Sequence, residues 1–152
     1  MIRILLLILS SSFFFQDNSH FSKKAPFSKL SGKWCGKDPE GFMFCEYWRI
    51  QDSVLSGEGY MPSAADTQSL EDIRIMKRKA GMFYEVHFPG SSDKPLFEIT
   101  EQNDSRFLCR MEYNEFPQEI EYTFKGDSLI ITLSGIVLEK PKKAVYRLRK
   151  SK

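Results

Sequence analysis

Residues 119–133 read EIEYTFKGDSLIITL. Apolar and polar side chains alternate through residues 119–125, and the alternation resumes in residues 128–133. Strict alternation is typical of strands with one buried face, and a short Gly-containing turn between two such strands indicates a hairpin. The stretch therefore predicts two antiparallel strands that turn one face, including Ile120 and Tyr122, towards a core.

The same rhythm continues through the chain from Lys33 to Arg149. Roughly nine or ten short, aromatic-rich segments follow one another, separated by turn residues. The chain has 13 Phe and 6 Tyr, which are residues that favour strands. The pattern predicts an all-β protein, a single antiparallel up-and-down barrel of about 8–10 strands. A barrel of this size either fills its lumen with side chains or shelters one small ligand.

The first residues have a different character. Arg3 precedes a run of apolar and small residues, which is typical of a secretory signal peptide and predicts one over residues 1–16. The run is shorter than the roughly 20 residues that span a bilayer, although a retained membrane anchor is the alternative. Residues 17–29 are predicted to be a linker, and residues 30–152 a lipocalin-like barrel domain. We expect export to the periplasm or the cell exterior, with no membrane span in the mature chain.

The charge of the chain gives no sign of a polyanionic partner. The formal net charge is +2, and acids and bases are mixed along the sequence. Nucleic-acid-binding proteins carry basic patches instead. We therefore expect no nucleic-acid partner.

Three cysteines lie in the predicted domain, at Cys35, Cys45 and Cys109. An odd number leaves at least one thiol without an intramolecular partner. Cys35 and Cys45 flank a turn, and if Gly36 lies opposite Phe42 the two sulfurs are one diagonal step too far apart for easy bridging. The expectation is that these cysteines are small buried side chains, with a disulfide as the alternative.

Several motifs resemble those of known barrels. Gly32-x-Trp34 resembles the opening motif of the calycins, which include the lipocalins and the fatty-acid-binding proteins. The chain is most similar to a bacterial lipocalin-like domain family of unknown function. The matching pieces, in order, are Leu30-x-Gly32-x-Trp34, Glu46-x-Trp48, Gly57-x-Gly59, Asp66-Thr67 with Glu71-x-x-x-Ile75, Phe116-Pro117-Gln118-x-Ile120-x-Tyr122 and Gly126-Asp127-Ser128-Leu129.

The chain also departs from these families. The turn after Trp34 is too short for the helical lid of fatty-acid-binding proteins, and the Thr-Asp-Tyr motif of lipocalins does not occur. Met111 and Asn114 stand where the bacterial family usually carries Asn and His. An activity that depends on that His is therefore not expected here.

The resemblance implies a particular closure of the barrel. In calycins an Arg on the last strand packs across the Trp of the first strand. Arg147 and Arg149 occupy the matching part of this sequence. We therefore expect Trp34 to be buried, one of these two guanidinium groups to lie over its ring, and the first and last strands to be paired.

Motifs of the common enzyme classes are missing. Gly-x-Ser-x-Gly, His-Glu-x-x-His and Cys-x-x-Cys do not occur in the sequence. His20 falls in the predicted linker, which leaves His87 as the one histidine of the domain. A metal site or catalytic triad built around one histidine is not favoured, so we expect no metal and no cofactor. Haem bound through His87, as in the related nitrobindin-type barrels, is an alternative.

Glu46 and Glu71 are the carboxylates of interest, because each shares a strand face with apolar residues. An unpaired carboxylate in such surroundings is costly and has a raised pKa. These groups could orient a polar ligand, act as an acid or base, or pair with an interior arginine such as Arg74, Arg106 or Arg110. The aromatic residues expected to line or fill the lumen are Trp48, Tyr84, Tyr113, Tyr122, Phe124 and Tyr146.

The resulting functional expectation is an exported, non-enzymatic barrel. It would bind a small apolar or amphipathic molecule in its lumen. The alternative is a lumen enzyme, an isomerase or hydrolase, that uses Glu46 or Glu71 as acid or base.

Overall fold

The computed structural model describes residues 23–51, 54–63 and 67–151. The predicted signal peptide, residues 1–16, and residues 17–22 of the predicted linker lie outside these ranges. Within them the chain forms one short helix and ten strands. These elements are α1 (Phe27–Leu30), β1 (Gly32–Lys37), β2 (Met43–Gln51), β3 (Val54–Met61), β4 (Gln68–Arg78), β5 (Gly81–His87), β6 (Leu96–Asn103), β7 (Arg106–Arg110), β8 (Glu119–Lys125), β9 (Ser128–Val137) and β10 (Lys140–Lys150).

The strands form a closed barrel in chain order. Each strand pairs antiparallel with its neighbour in the sequence, and β10 returns to pair with β1. This confirms the prediction of a single up-and-down antiparallel barrel, and the architecture is compatible with a calycin-like fold. Closure leaves no edge strand in this sheet. No helix in the described ranges is long and apolar enough to cross a membrane.

One end of the barrel is filled by apolar side chains and covered by α1. Phe27 of the helix lies 5.3 Å from Phe107, centroid to centroid, and Trp34 Nε1 donates a 2.6 Å hydrogen bond to the carbonyl oxygen of Leu30. Pro26 and Phe27 are buried although they fall in the range predicted as a linker. The buried side chains of this end are Trp34, Trp48, Leu55, Ile75, Phe107, Phe124, Leu129 and Leu148.

The cation over Trp34 is a lysine. Trp34 is 2% exposed, and the Nζ atom of Lys150 lies 5.1 Å from its ring centroid. The β1–β10 register places Trp34 opposite Lys150. Because side chains alternate between the two faces of a strand, Arg147 and Arg149 fall on the outer face, where both are exposed. The predicted strand pairing is confirmed, but the expectation of an arginine over Trp34 is wrong.

The β1–β2 hairpin also corrects the expected register. Gly36 lies opposite Phe44, not Phe42, so Cys35 faces Cys45 directly, and the two form a disulfide with Cα atoms 4.2 Å apart. The turn is centred one residue later than expected, because Asp38 Oδ1 accepts hydrogen bonds from the backbone N–H groups of Glu40 and Phe42. A shift of one residue in the turn centre moves every cross-strand partner by two. Cys109 is a free, buried thiol.

We expect the Trp34→Ala variant to lower the free energy of unfolding by roughly 3–5 kcal/mol, because the change opens a cavity beneath α1. The Lys150→Ala variant should cost only about 0.5–1 kcal/mol, the size of an exposed cation–π contact. Urea denaturation followed by circular dichroism measures both values. Equal losses in the two variants would contradict the central role assigned to the buried indole.

Candidate functional site

The open end of the barrel contains a cavity of about 360 Å³. This volume falls in the range of small-molecule sites, about 300–1,000 Å³. Most of the wall is apolar or aromatic, and the two lining carboxyls come from β2 and β4. The lining residues are Phe44, Glu46, Leu70, Glu71, Tyr84, Val86, Phe88, Pro95, Phe97, Asn114, Phe116, Pro117, Ile120, Tyr122, Ile131, Leu133 and Tyr146.

Glu46 is the buried polar group at the base of the cavity, and its side chain is 2% exposed. Its Oε2 atom accepts a 2.7 Å hydrogen bond from Trp48 Nε1, and its Oε1 atom accepts a 2.9 Å bond from the Tyr122 hydroxyl. Burial raises the pKa of Glu46 from 4.5 to about 8, against the opposing effect of the hydrogen bond from Trp48. At neutral pH this carboxyl is therefore largely protonated.

A chain of hydroxyl groups continues from Glu46 across the lumen. The Tyr84 and Tyr122 hydroxyl oxygens are 3.0 Å apart. When Tyr122 donates to Glu46, Tyr84 donates to Tyr122. Burial raises the pKa of both phenols well above the ordinary value, so both remain protonated. The chain links β5, β8 and β2 and separates the filled end of the barrel from the cavity.

Glu71 also lines the cavity, from β4, which is separated from the β2 strand of Glu46 by β3. Gly59 of β3 lies opposite Glu46 on β2 and also opposite Glu71 on β4. The Glu71 side chain lies over this glycine, since a Cβ at residue 59 would be 2.8 Å from Glu71 Cγ. The two carboxyls therefore belong to one row across three strands, with no side chain between them.

Glu71 is chemically different from Glu46. Among the residues that the structure describes, it has no hydrogen-bond donor and no cationic partner. Burial raises its pKa from 4.5 to about 7. It is thus a carboxyl that titrates near neutral pH and faces the cavity. A group of this kind is a candidate for contact with a ligand.

The two glycines of β3 have a packing function. A Cβ at Gly57 would be 2.7 Å from the Trp48 ring, as a Cβ at Gly59 would be close to Glu71. The β3–β4 register shifts between Gly59 and Tyr60. The extra residue on β4 is Leu70, and this bulge accounts for both Leu70 and Glu71 lining the cavity.

The arginines that could have neutralised the carboxyls lie elsewhere. Arg106 pairs with Glu101 and Glu121, and Arg110 pairs with Glu101 and Glu119. Arg74 is exposed on β4. The expected alternative of an interior ion pair with one of these arginines is therefore wrong. No Lys, Arg or His occurs among the described residues that line the cavity.

The structure brings together most of the residues predicted for the lumen. Glu46, Glu71, Tyr84, Tyr122 and Tyr146 line the cavity. Trp48 and Phe124 are buried below it. Their roles toward a ligand stay predictions.

Tyr113 is the exception, since its side chain is 92% exposed. Strand β7 ends at Arg110, and Tyr113 falls in the loop that follows it. The same loop carries Phe116 and Pro117 to the cavity mouth. Sequence reasoning did not place these two residues in the site, although the Phe-Pro-Gln motif marked the segment.

His87 does not reach the cavity. Tyr84 and Val86 line it, so alternation puts His87 on the other face of β5. There its Nε2 atom lies 3.2 Å from the carbonyl oxygen of Ser91, and its Nδ1 atom 3.8 Å from Asp72 Oδ2. Haem held in the lumen through His87 does not agree with this geometry. In the described part of the chain, no three His, Cys, Asp or Glu residues are grouped to hold a metal.

Neither a protein-family model nor a curated protein matches the chain. The resemblance to calycins therefore depends on the motifs and on the barrel architecture. Any proposal about function therefore depends on the geometry of the cavity.

We expect the stability of the protein to fall as the pH rises from 5 to 8.5. Glu46 and Glu71 hold protons in the folded state at pH values where both are ionised in the unfolded chain, because their folded pKa values are about 8 and about 7. The unfolded chain therefore binds fewer protons, and raising the pH favours it, by an amount on the order of a few kcal/mol.

Urea denaturation at several pH values measures this slope. In the Glu46→Gln variant the decrease of stability with pH should be smaller than in the wild type, because Glu71 alone then contributes. In the exposed control Glu112→Gln the decrease should be the same as in the wild type. A wild-type stability that is constant or increases over this range would show that the carboxyls are not held protonated.

Proposed function

We propose that the protein is an exported, non-enzymatic barrel that binds one small amphipathic molecule in its open-ended cavity. The observation that carries the proposal is a cavity of about 360 Å³ with apolar walls and two carboxyls at its deeper part. Apolar walls favour burial of an apolar body, and a few convergent polar groups orient it.

The size of the cavity supports a ligand and not only water. An engineered apolar cavity of about 150 Å³ holds benzene. The present cavity has more than twice that volume. It accommodates a molecule with one or two rings, or a branched chain of similar bulk.

Two features support export. Residues 1–16 have the composition of a signal peptide, and the Cys35–Cys45 disulfide suits an oxidising compartment. Detection of the mature N-terminus by mass spectrometry of the protein from its native host tests this part of the proposal.

Binding is tested with N-phenyl-1-naphthylamine, an uncharged dye whose fluorescence increases in apolar surroundings. We expect saturable binding to the wild type. The Leu133→Trp and Val86→Phe variants should lose it, because each adds bulk to the cavity wall. Native mass spectrometry of the protein from its host complements the assay by detecting a retained ligand.

The matched control is Ile136→Trp, since Ile136 lies on the same strand and is 54% exposed. Circular dichroism establishes that each variant is folded. Binding that is equal in the cavity-filling variants and the control would place the dye outside the cavity and contradict the proposal.

The second candidate function is acid–base catalysis in the same cavity. The observation that favours it is the Glu71 carboxyl, with a pKa of about 7 and no partner in the described ranges. A general base is most effective when its pKa lies near the working pH. Glu71 would accept a proton from a bound substrate, and the neighbouring protonated Glu46 would stabilise the charge that develops.

Hydrogen–deuterium exchange of an enolisable probe ketone, 2-tetralone, tests this candidate. Nuclear magnetic resonance in D₂O measures the exchange rate with the wild type, with Glu71→Gln and with buffer alone. Catalysis predicts exchange above buffer that Glu71→Gln removes. A wild-type rate equal to that of buffer would contradict proton abstraction from this class of substrate.

A further inference from the structure

The cavity is lined by acidic side chains and by no basic ones among the residues that the structure describes. The acidic side chains are those of Glu46 and Glu71. Arg106 and Arg110 pair with glutamates outside the cavity, Arg106 with Glu121 at 2.6 Å and Arg110 with Glu119 at 2.8 Å. Glu71 is half-buried, and a partly desolvated carboxylate without a cation is costly. The cavity therefore offers a position for a cation that the chain itself does not supply.

We infer that the ligand is an organic amine, with its ammonium group against the Glu71 carboxylate and its apolar body along the aromatic wall. The inference rests on the proposed binding function and specifies the chemical class of the ligand. It also excludes the anionic head group of a fatty acid as the preferred occupant of this site.

Glu71 is the counter-ion because Glu46 is already satisfied. Both oxygens of Glu46 accept hydrogen bonds, from Trp48 and from Tyr122. Glu71 accepts none within the described ranges. An ammonium group that donates to Glu71 would supply the missing bonds, and hydrogen bonds between charged groups are the strong ones.

The aromatic wall favours the same ligand. Phe44 and Tyr146 form a ring pair with centroids 5.0 Å apart, and both line the cavity. The charge of Glu71, after burial, contributes to the raised pKa of Tyr146, which places this ring within electrostatic reach of the carboxylate. A cation beside such rings gains from their negative faces.

An anionic head group finds few donors in the cavity. The Tyr84 and Tyr122 hydroxyls belong to the chain that ends on Glu46. The Asn114 amide donates a 2.6 Å bond to the carbonyl oxygen of Pro117. A carboxylate ligand would thus be desolvated beside the ionised Glu71 carboxylate, and like charges repel.

The inference also predicts how binding changes with pH. The titratable groups that face Glu71 are Glu46 on β2, Tyr84 on β5, Tyr122 on β8 and Tyr146 on β10. Glu71 is the one that ionises near pH 7. Because an ammonium ion prefers the ionised form, affinity for an amine should rise from pH 6 to pH 8. An alkylamine remains protonated over this range, since its pKa is about 10.

The test compares three probes of nearly the same shape, 4-phenylbutylamine, 4-phenylbutanol and 4-phenylbutyrate, by isothermal titration calorimetry. On the wild type at pH 8 we expect the amine to bind roughly tenfold or more tightly than the alcohol, and the acid most weakly. The Glu71→Gln variant should lower the amine affinity towards that of the alcohol and weaken its rise between pH 6 and pH 8, of which Glu46, with a pKa of about 8, supplies the rest. Glu112→Gln, an exposed control, should behave as the wild type.

Each other outcome is decisive. If amine and alcohol bind the wild type equally, or the amine affinity is constant between pH 6 and pH 8, the amine inference is wrong while binding in the cavity stands. If none of the three binds but N-phenyl-1-naphthylamine does, the inference is again wrong and the proposed function remains. If the dye also fails, both are wrong. The comparison on the wild type needs no variant, so a misfolded Glu71→Gln protein would not obscure the result.

Discussion

The hydrogen bonds that Glu46 accepts connect parts of the barrel wall that the β-ladder leaves far apart. Glu46 lies on β2, whereas its donor Tyr122 lies on β8 and the next hydroxyl, Tyr84, on β5. A buried carboxyl group requires hydrogen-bond partners, and both oxygens of Glu46 accept one. Here the donors are large aromatic side chains, so the same residues donate hydrogen bonds to Glu46 and fill the lumen.

This arrangement divides the interior into two halves. Trp48, which donates to Glu46, also fills the closed end together with Phe107, whose ring stacks on Tyr122 at 4.7 Å. The helix α1 covers that end. The cavity lies on the other side of the hydroxyl chain, and Glu46, Tyr84 and Tyr122 line it. The position of the polar chain thus sets the depth to which a ligand can enter.

The lack of a side chain at Gly57 and Gly59 of β3 is as important as the side chains on the neighbouring strands. The Trp48 ring lies over Gly57, and the Glu71 side chain lies over Gly59. Any residue with a Cβ at these positions would push the indole or the carboxyl towards the lumen centre. The Gly-x-Gly motif therefore belongs to the site, although neither glycine contacts a ligand.

The alternation in residues 119–133 determined the inward faces of β8 and β9, and the rhythm of the chain determined an antiparallel barrel, because both depend on local periodicity. Only the tertiary structure decided which cation covers Trp34. The choice depends on the β1–β10 register, because a shift of one residue along β10 places a side chain on the opposite face of the strand. It also decided the Cys35–Cys45 disulfide, through the position of the Asp38 turn.

The sequence marked Glu46 and Glu71 as acids in apolar surroundings. Glu46 accepts hydrogen bonds from Trp48 and Tyr122, whereas Glu71 accepts none within the described ranges. This difference depends on contacts between distant strands, which a local sequence pattern does not reveal.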